Sequence, residues 1–248
     1  MSCSNVVISS NYGPLIINVN DQVIANNVIR DGYFAIHDIQ LIKLLIDELN
    51  KIYPEIVFYD VGSNIGTHTL AIAKIYQDKV KIRSFEAQRQ IFNMLCGNMA
   101  INGIRNAYCY NNAVSNINDV DINILLPDYD SLNNFGGIEL DVPLRSDNLN
   151  VRKPGLEKIK TITIDSFEEQ VGFIKIDVEG MEDKVLMGAK KTIEQYRPIC
   201  FVELLKTDIR FIFDFFKNRN YRGYRKEENL VAIPLDFNIR IKGLVELF

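Results

Sequence analysis

The sequence has few of the residues that build metal centres or disulfide frameworks. Tryptophan is absent, and the 248 residues contain four cysteines and two histidines, His37 and His68. The cysteines stand at positions 3, 96, 109 and 200, and no two of them form a CxxC pair. Because a structural zinc site needs four Cys or His ligands at short spacings, the sequence argues against one. We interpret the cysteines as reduced, buried thiols of a cytoplasmic protein.

Long apolar runs and an excess of positive charge are also missing. The N-terminal segment has neither a basic start nor a long apolar core, so we expect no signal peptide, and no other run has membrane-spanning length. Lys and Arg number 28 against 32 Asp and Glu, which gives a net charge of −4. This charge disfavours nucleic acid as a partner, because binding to a phosphate backbone depends on Lys and Arg.

An alternation of strand-like and helix-like segments is present from residue 53 onward. Short apolar runs at residues 55–60, 79–86, 107–111, 172–177 and 198–204 predict strands, and amphipathic stretches between most of them predict helices. Two terminal strands follow at 220–225 and 229–234. This order predicts an α/β fold with a mostly parallel sheet and helices on both faces.

Two parts of the chain depart from that alternation. Residues 1–52 predict short strands at 15–19 and 22–24 and a helix at 37–52, which we expect to pack on the main domain at 53–248. Residues 116–160 are rich in Asn, Asp, Gly and Pro, with short strand-like pieces at 121–126 and 138–142. We interpret them as an insertion that folds over one end of the sheet and shapes an acceptor pocket; a linker is the alternative.

Polar residues follow the predicted strands. Ligands of open α/β sheets bind at the carboxyl ends of the parallel strands. We therefore expect one binding site at the edge of the sheet where these residues meet: Asp60, Glu86, Asn112, Asp177, Glu179 and Glu203.

A glycine turn, DVGSNIG at residues 60–66, follows the first of these strands. Gly62 and Gly66 would let a ligand approach the backbone closely, although a tight strand-to-helix turn needs the same residues. The dinucleotide fingerprint GxGxxG is not matched, since Asn64 stands where its second glycine would be, and this weakens a pyrophosphate interpretation.

Glu86 and Asn112 extend the candidate ligand site. Glu86 comes 20 residues after Gly66, where a carboxylate can accept two hydrogen bonds from a ribose diol; the alternative is a solvated acid. Asn112, followed by Ala113, can donate and accept hydrogen bonds at an adenine edge.

The run IKIDVEGMEDKVLMGA at residues 174–189 contains the densest set of charged residues. Lys175, Asp177 and Glu179 alternate and would point to one side of a strand. Buried charges must pair or serve a function, so the alternatives are a structural Lys175–Asp177 ion pair and a reactive centre. Glu203 at the next strand end adds a carboxylate. Asp177 and Glu203 could supply oxygen ligands to Mg²⁺, but we predict no metal. We interpret His68 as a packed or solvent-facing residue rather than a base, and the sequence assigns no role to His37.

These motifs resemble the FkbM family of S-adenosylmethionine-dependent methyltransferases. The resemblance covers residues 57–234 and is most specific in the IKIDVEGME run. The matching segments are DVGSNIG at 60–66, FE at 85–86, NNAVS at 111–115, TID at 163–165, IKIDVEGME at 174–182, VLMGA at 185–189, YRGY at 221–224 and NLVAIP at 229–234.

The resemblance implies a Rossmann-like class I methyltransferase fold. Its sheet would have seven mostly parallel strands with one antiparallel strand near the C-terminus, and S-adenosylmethionine would lie across the ends of the first four strands. The acceptor would be a hydroxyl on a sugar or another small metabolite. Asp177 or Glu179 would accept its proton, Lys175 would orient them, and Glu203 would be a third acid. The residues expected at the cofactor are Asp60, Gly62, Asn64, Gly66, Glu86, Asn112, Ala113 and Asp177.

Three other functions are compatible with parts of the sequence. A nicotinamide-dependent oxidoreductase would need a glycine loop that holds phosphates, which the GxxxG spacing opposes. A catalytically inactive binding module would not need the full set of strand-end acids. An RNA methyltransferase would need a basic surface with interleaved aromatic residues, and none is evident. Binding of S-adenosylhomocysteine rather than NAD would distinguish the methyltransferase from the nicotinamide-dependent oxidoreductase.

Overall fold

The structure is a computed structural model, and it describes residues 4–139 and 155–248. The predicted insertion at 116–160 therefore lies partly outside the described residues, as does a strand-like piece at 138–142. The helices are α1 (Ile24–Asp31), α2 (Ile36–Leu49), α3 (Thr67–Tyr76), α4 (Arg89–Ile101), α5 (Glu182–Gly188), α6 (Lys190–Tyr196) and α7 (Ile209–Lys217). None of these helices combines the length and the apolar character needed to cross a membrane.

The strands form three sheets within the described residues. They are β1 (Asn5–Ser10), β2 (Gly13–Asn18), β3 (Ile56–Val61), β4 (Val80–Phe85), β5 (Ala107–Tyr110), β6 (Ala113–Val114), β7 (Asp121–Leu126), β8 (Gly155–Ile162), β9 (Phe173–Ile176), β10 (Ile199–Glu203), β11 (Tyr221–Lys226), β12 (Asn229–Pro234) and β13 (Val245–Glu246). β1 and β2 form a hairpin, and β6, β8 and β7 form a three-stranded sheet in that order.

The central sheet has the order β13-β11-β12-β10-β9-β3-β4-β5. The five strands from β5 to β10 are parallel, and β12 runs antiparallel between β10 and β11. These seven strands are the predicted sheet with its one antiparallel strand. The prediction missed an eighth strand, the two-residue β13, which pairs antiparallel with β11 at the edge.

Helices cover both faces of the central sheet. Because side chains alternate along a strand, β3 sends Tyr59 and Val61 into a buried cluster that includes Phe216 of α7. It sends Phe58 into a cluster on the opposite face that includes Ile46 of α2. The sheet is thus buried on both sides, which explains why its strands are almost continuously apolar.

Local hydrogen bonds explain the places where the predicted elements are wrong. Residues 22–24 do not form a strand, because the Asp21 carboxylate accepts hydrogen bonds from the N–H groups of Val23 at 2.8 Å and Ile24 at 3.0 Å and so starts α1. The single helix predicted at 182–195 is divided into α5 and α6. Gly188, the last residue of α5, lies so close to the residue that follows β6 that a Cβ atom would be 2.0 Å from the carbonyl oxygen of Ser115.

The segment before β8 lies against the N-terminal part of the chain. Gln22 N–H donates to the carbonyl oxygen of Asn133 at 2.8 Å, and Asn133 N–H donates to that of Asn20 at 3.0 Å. β7 and β8 pair over six residues each. The described part of the 116–160 region therefore contains ordered strands and is tied by backbone hydrogen bonds to the residues before α1.

Candidate functional site

A cavity of about 310 Å³ opens at the carboxyl ends of β3, β4, β9 and β10. This volume lies in the range of small-molecule sites, about 300–1,000 Å³. Three parts of the chain line it: the loops after the central strands, an apolar group before α2, and a segment after β7. The lining includes Val23, Ile24, Phe34, Asn134, Gly136 and Ile138 from outside the central sheet.

Most of the residues predicted for the site line this cavity. They are Gly62, Asn64, Glu86, Asn112, Lys175, Asp177, Glu179 and Glu203. The other three lie behind the lining: Asp60 is fully buried in β3, Ala113 is buried in β6, and Gly66 directly precedes the first residue of α3. The structure thus brings the strand-end residues together, while the role of each one stays a prediction.

Lys175 and Asp60 form a buried ion pair beneath the cavity. The Lys175 Nζ lies 3.4 Å from Asp60 Oδ1 and 3.3 Å from Asp177 Oδ2, and Asp60 Oδ2 accepts a hydrogen bond from the Thr69 hydroxyl at 2.7 Å. Burial alone would lower the pKa of Lys175, but the carboxylates of Asp177 and Asp60 outweigh it and raise that pKa. The ion pair that the sequence offered as an alternative is therefore present, and it extends to Asp60.

The two glycines of the turn are explained by contacts between chain segments. Gly62 has φ +78°, and a Cβ atom there would lie 1.7 Å from the carbonyl oxygen of Asp177. Gly66 has φ +88°, and a Cβ atom would lie 2.5 Å from the Leu95 side chain of α4. The loops after β3 and β9 can approach each other only because Gly62 has no side chain.

The Glu86 carboxylate is buried and held in one orientation. It accepts hydrogen bonds from the N–H groups of Asn64 at 3.0 Å and Gln88 at 2.7 Å. Burial raises the pKa of Glu86 to about 7, although these hydrogen bonds oppose the rise. Each oxygen has received one protein donor, so lone pairs remain for a ligand in the cavity.

Gln88 is a lining residue that the sequence did not reveal. Its side-chain amide donates to the carbonyl oxygen of Phe135 at 2.8 Å and accepts from the Tyr129 hydroxyl at 3.0 Å. These partners lie more than 40 positions further along the chain, so local patterning carries no sign of them. Gln88 thereby connects the start of α4 to the segment that follows β7.

Three carboxylates line the end of the cavity after β9 and β10, and β3 separates these strands from β4, which Glu86 follows. Oxygens of Asp177, Glu179 and Glu203 lie within 4.8 Å of one another. Glu179 pairs with Lys206 at 2.7 Å, while Glu203 Oε2 is buried and has no hydrogen-bond partner in the part of the chain that the structure describes. Burial and the charges of Asp177 and Glu179 raise the pKa of Glu203 to about 8. At neutral pH this cluster therefore favours a proton on Glu203.

The backbone brings these carboxylates together in a way the sequence did not predict. β9 ends at Ile176, so the prediction that Glu179 alternates along the strand is wrong. Glu179 instead adopts φ +55° in a loop. The Glu182 carboxylate holds that loop by accepting hydrogen bonds from the N–H groups of Val178 at 3.0 Å and Gly180 at 3.1 Å. Glu182 is thus a supporting residue whose role depends on the loop geometry.

The two histidines lie in different surroundings. His68, in the first turn of α3, lines the cavity and is 7% exposed, and its Nε2 has no hydrogen-bond partner within the described residues. Burial and the nearby Lys175 lower the pKa of His68 to about 4, so the ring is neutral at pH 7. His37 is exposed and lines a second cavity of about 200 Å³.

Phe34 lies between the two cavities and lines both. Its backbone is held by Tyr12, whose hydroxyl donates to the Phe34 carbonyl oxygen at 2.5 Å and accepts from the Phe34 N–H at 3.2 Å. The next residue, Ala35, has φ +52°, which is uncommon for a residue with a side chain. The turn between the β1–β2 hairpin strands thus sets the position of an aromatic ring in the cavity wall.

Comparison with known proteins identifies the family. The sequence model described as the methyltransferase FkbM domain matches residues 60–223. No curated protein sequence matches the chain. A crystal structure of methyltransferase FkbM from Methylobacillus flagellatus KT is similar in fold, with a TM-score of 0.53 and 15% sequence identity. The similarity covers 72% of this chain but only 43% of that protein.

Two other solved structures have lower similarity. They are a precorrin-6y C5,15-methyltransferase from Geobacter metallireducens GS-15, with 7% identity, a TM-score of 0.42 and 77% and 83% of the two chains covered, and a SAM-dependent methyltransferase from Aquifex aeolicus, with 11% identity, a TM-score of 0.40 and 76% and 88% covered. Scores this low carry no argument about function. The domain match covers more than half of the sequence, and the chain belongs to the FkbM family of methyltransferases.

Proposed function

We propose that this chain uses S-adenosylmethionine to methylate a hydroxyl group of a sugar or another small metabolite. The observation that carries the proposal is the division of one cavity into two polar ends. One end presents the oriented Glu86 carboxylate, and the other presents Asp177, Glu179 and Glu203. S-adenosylmethionine supplies an electrophilic methyl group on a sulfonium, and it has no phosphate.

The donors and acceptors of the cavity fit such a cofactor. The two Glu86 oxygens suit a ribose diol, since each retains free lone pairs beside its backbone donor. Asn112 lines the same end, where its side-chain amide donates to the Lys160 carbonyl oxygen at 3.1 Å. Asp177 at the other end suits a cationic amino group. We assign these residues to the cofactor on that basis.

The acid cluster supports proton removal from the acceptor. Methyl transfer to a hydroxyl requires the oxygen to be aligned and its proton to be taken up. Burial raises the pKa of Glu179, which brings its proton affinity closer to that of a hydroxyl at neutral pH. Lys206 keeps Glu179 in place, and Lys175 does the same for Asp177. We propose Glu179 as the base and Asp177 as the neighbouring acid.

The charge of the cavity supports a neutral or cationic acceptor. Within the described residues, Lys175 is the one lysine in its lining. Five acidic residues line it: Glu86, Asp177, Glu179, Glu203 and Glu228. Phosphate groups would be repelled by this surface. A hydroxylated small molecule therefore suits the cavity better than an RNA chain does.

Ligand binding tests the proposal directly. We expect calorimetry to show that the chain binds S-adenosylhomocysteine, the demethylated product, and does not bind NAD or NADP. Binding of NAD alone would favour the oxidoreductase alternative. Binding of S-adenosylhomocysteine without transfer of labelled methyl groups to any member of a panel of sugars and hydroxylated metabolites would favour the inactive binding module.

A pH dependence is expected from Glu86. Ribose hydroxyls donate to the ionised carboxylate, so binding lowers the pKa of Glu86 below its free value of about 7. The affinity for S-adenosylhomocysteine should therefore rise with pH by up to about tenfold per unit and level off above about pH 7.

Glu86→Gln is the control for that measurement. The amide cannot titrate, so the affinity of the variant for S-adenosylhomocysteine should be weaker and should lack the slope that Glu86 causes in the parent. Glu203, whose pKa is about 8, titrates nearby, and any slope it causes will persist in the variant. A parent profile that matches the Glu86→Gln profile would remove Glu86 from the cofactor site.

A further inference from the structure

We propose that His68 donates a hydrogen bond from its imidazole to the amino-acid carboxylate of the bound cofactor. This inference rests on the proposed function, because the carboxylate belongs to S-adenosylmethionine. The role was not expected from the sequence, in which a single histidine after a glycine turn has no distinguishing pattern.

The burial of His68 requires an explanation. The residue is 7% exposed and lines the cavity, yet Nε2 has no hydrogen-bond partner within the described residues. A buried polar atom without a partner costs free energy unless a water or a ligand satisfies it. His68 lines the cavity, so a ligand bound there lies beside the ring.

The first turn of α3 attracts an anion for an independent reason. The first hydrogen bond of that helix runs from Leu70 N–H to the Gly66 carbonyl oxygen, so the N–H groups of residues 67–69 have no acceptor inside the helix. Gly66 has no side chain that could cap them. N–H groups without an acceptor inside the helix and the helix dipole together favour negative charge at this end.

The charged groups around His68 point in the same direction. Lys175 from β9 lowers the pKa of the ring, whereas Asp60 from β3 and Asp177 after β9 raise it. Burial and Lys175 keep the imidazole neutral, so one ring nitrogen carries a proton and can donate it in a hydrogen bond. Lys175 itself is already engaged by Asp60 and Asp177, whereas His68 Nε2 has no hydrogen-bond partner among the described residues.

The chemistry of the proposed reactants selects the ligand group. The acceptor offers a neutral hydroxyl, whereas the cofactor carries one carboxylate. A donor beside a helix N-terminus therefore suits the cofactor carboxylate, and Asp177 suits the ammonium group of the same amino acid. His68 would then be a binding and positioning residue, because it touches the cofactor away from the transferred methyl group.

Two ligands that differ only in the amino-acid portion test the inference. S-adenosylhomocysteine contains it, and 5′-methylthioadenosine lacks it. In calorimetry at pH 7, His68→Phe should weaken S-adenosylhomocysteine binding by about 10- to 150-fold, as expected for a hydrogen bond to a charged group. It should leave 5′-methylthioadenosine binding within about twofold of the parent.

Two variants control the comparison. His68→Gln keeps an N–H donor and should recover part of the loss, and His37→Phe should change neither affinity. The inference is overturned if His68→Phe binds S-adenosylhomocysteine as tightly as the parent, or if it weakens both ligands equally. A parent that binds neither ligand overturns the proposed function, and the inference fails with it.

A measurement on the unaltered chain covers the case in which His68→Phe does not fold. With two histidines in the sequence, the ring signals of His68 and His37 can be assigned by NMR through the His37→Phe variant. S-adenosylhomocysteine should shift the His68 signal more than 5′-methylthioadenosine does. Equal shifts with the two ligands would contradict the assignment to the amino-acid portion.

Discussion

Lys175→Met is expected to lower the free energy of unfolding by about 3–5 kcal/mol, the usual loss when one partner of a buried ion pair is removed. Asp60 is fully buried, and among residues 4–139 and 155–248 its Oδ1 has no hydrogen-bond partner, while Lys175 Nζ lies 3.4 Å away. Without the ammonium group, the Asp60 charge would stay in the core uncompensated. Urea denaturation of the parent and the variant measures the difference.

Two further variants separate this charge effect from lost packing. Asp60→Asn removes the charge but keeps an oxygen for the Thr69 hydroxyl, so adding it to Lys175→Met should restore part of the stability. Lys206→Met removes the more exposed lysine that pairs with Glu179 and should cost no more than about 1 kcal/mol. A loss in Lys175→Met equal to that in Lys206→Met would contradict the ion-pair interpretation.

Glu179→Gln is expected to slow methyl transfer by about 10²- to 10⁴-fold, the range that a general base contributes. The substitution keeps the size of the side chain and a hydrogen-bonding oxygen but removes the group that accepts the proton. The charge of Glu179 is one cause of the raised pKa of Glu203, so this pKa falls in the variant and Glu203 becomes the nearby acid that can take over. The rate is measured with labelled cofactor after a panel of hydroxylated compounds has identified an acceptor.

Glu139→Gln is the matched control for that experiment. Glu139 lies 3.8 Å from the same Lys206 Nζ, is more exposed than Glu179, and is absent from the cavity lining. Its variant should keep the parent rate, and both variants should bind S-adenosylhomocysteine as the parent does. If Glu179→Gln turns over as fast as Glu139→Gln, the base is Asp177 or Glu203, or the reaction needs alignment alone.

The central sheet could be predicted because its signals are local. The strand predicted at 229–234 has the bounds of β12, since its apolar pattern lies within the segment. The eighth strand escaped because β13 has two residues, too few for a pattern. The start of α1 escaped because the Asp21 side chain decides it, overriding the strand-like character of residues 22–24.

The candidate site was predictable only in part, for a related reason. Residues at the ends of parallel strands meet at one edge whatever the loops do, so Glu86, Asp177 and Glu203 could be placed together. Gln88 and Phe34 reach the cavity through contacts with distant segments, which no local pattern encodes. The conformation of Glu179 depends on the hydrogen bonds of Glu182.

The hydrogen bonds between Tyr12 and Phe34 affect how the shape of this cavity can vary between members of the family. The cavity wall at Phe34 is held by hydrogen bonds to the turn of the β1–β2 hairpin, which forms a sheet separate from the central one. Glu86 and Asp177, in contrast, directly follow strands of the central sheet. Substitutions in the hairpin can therefore reshape one side of the cavity without moving the carboxylates. A graft of residues 4–35 between members of the family should transfer acceptor preference while leaving cofactor affinity unchanged. The geometry separates the part of the chain that can vary with each new acceptor from the part that must stay constant for the chemistry.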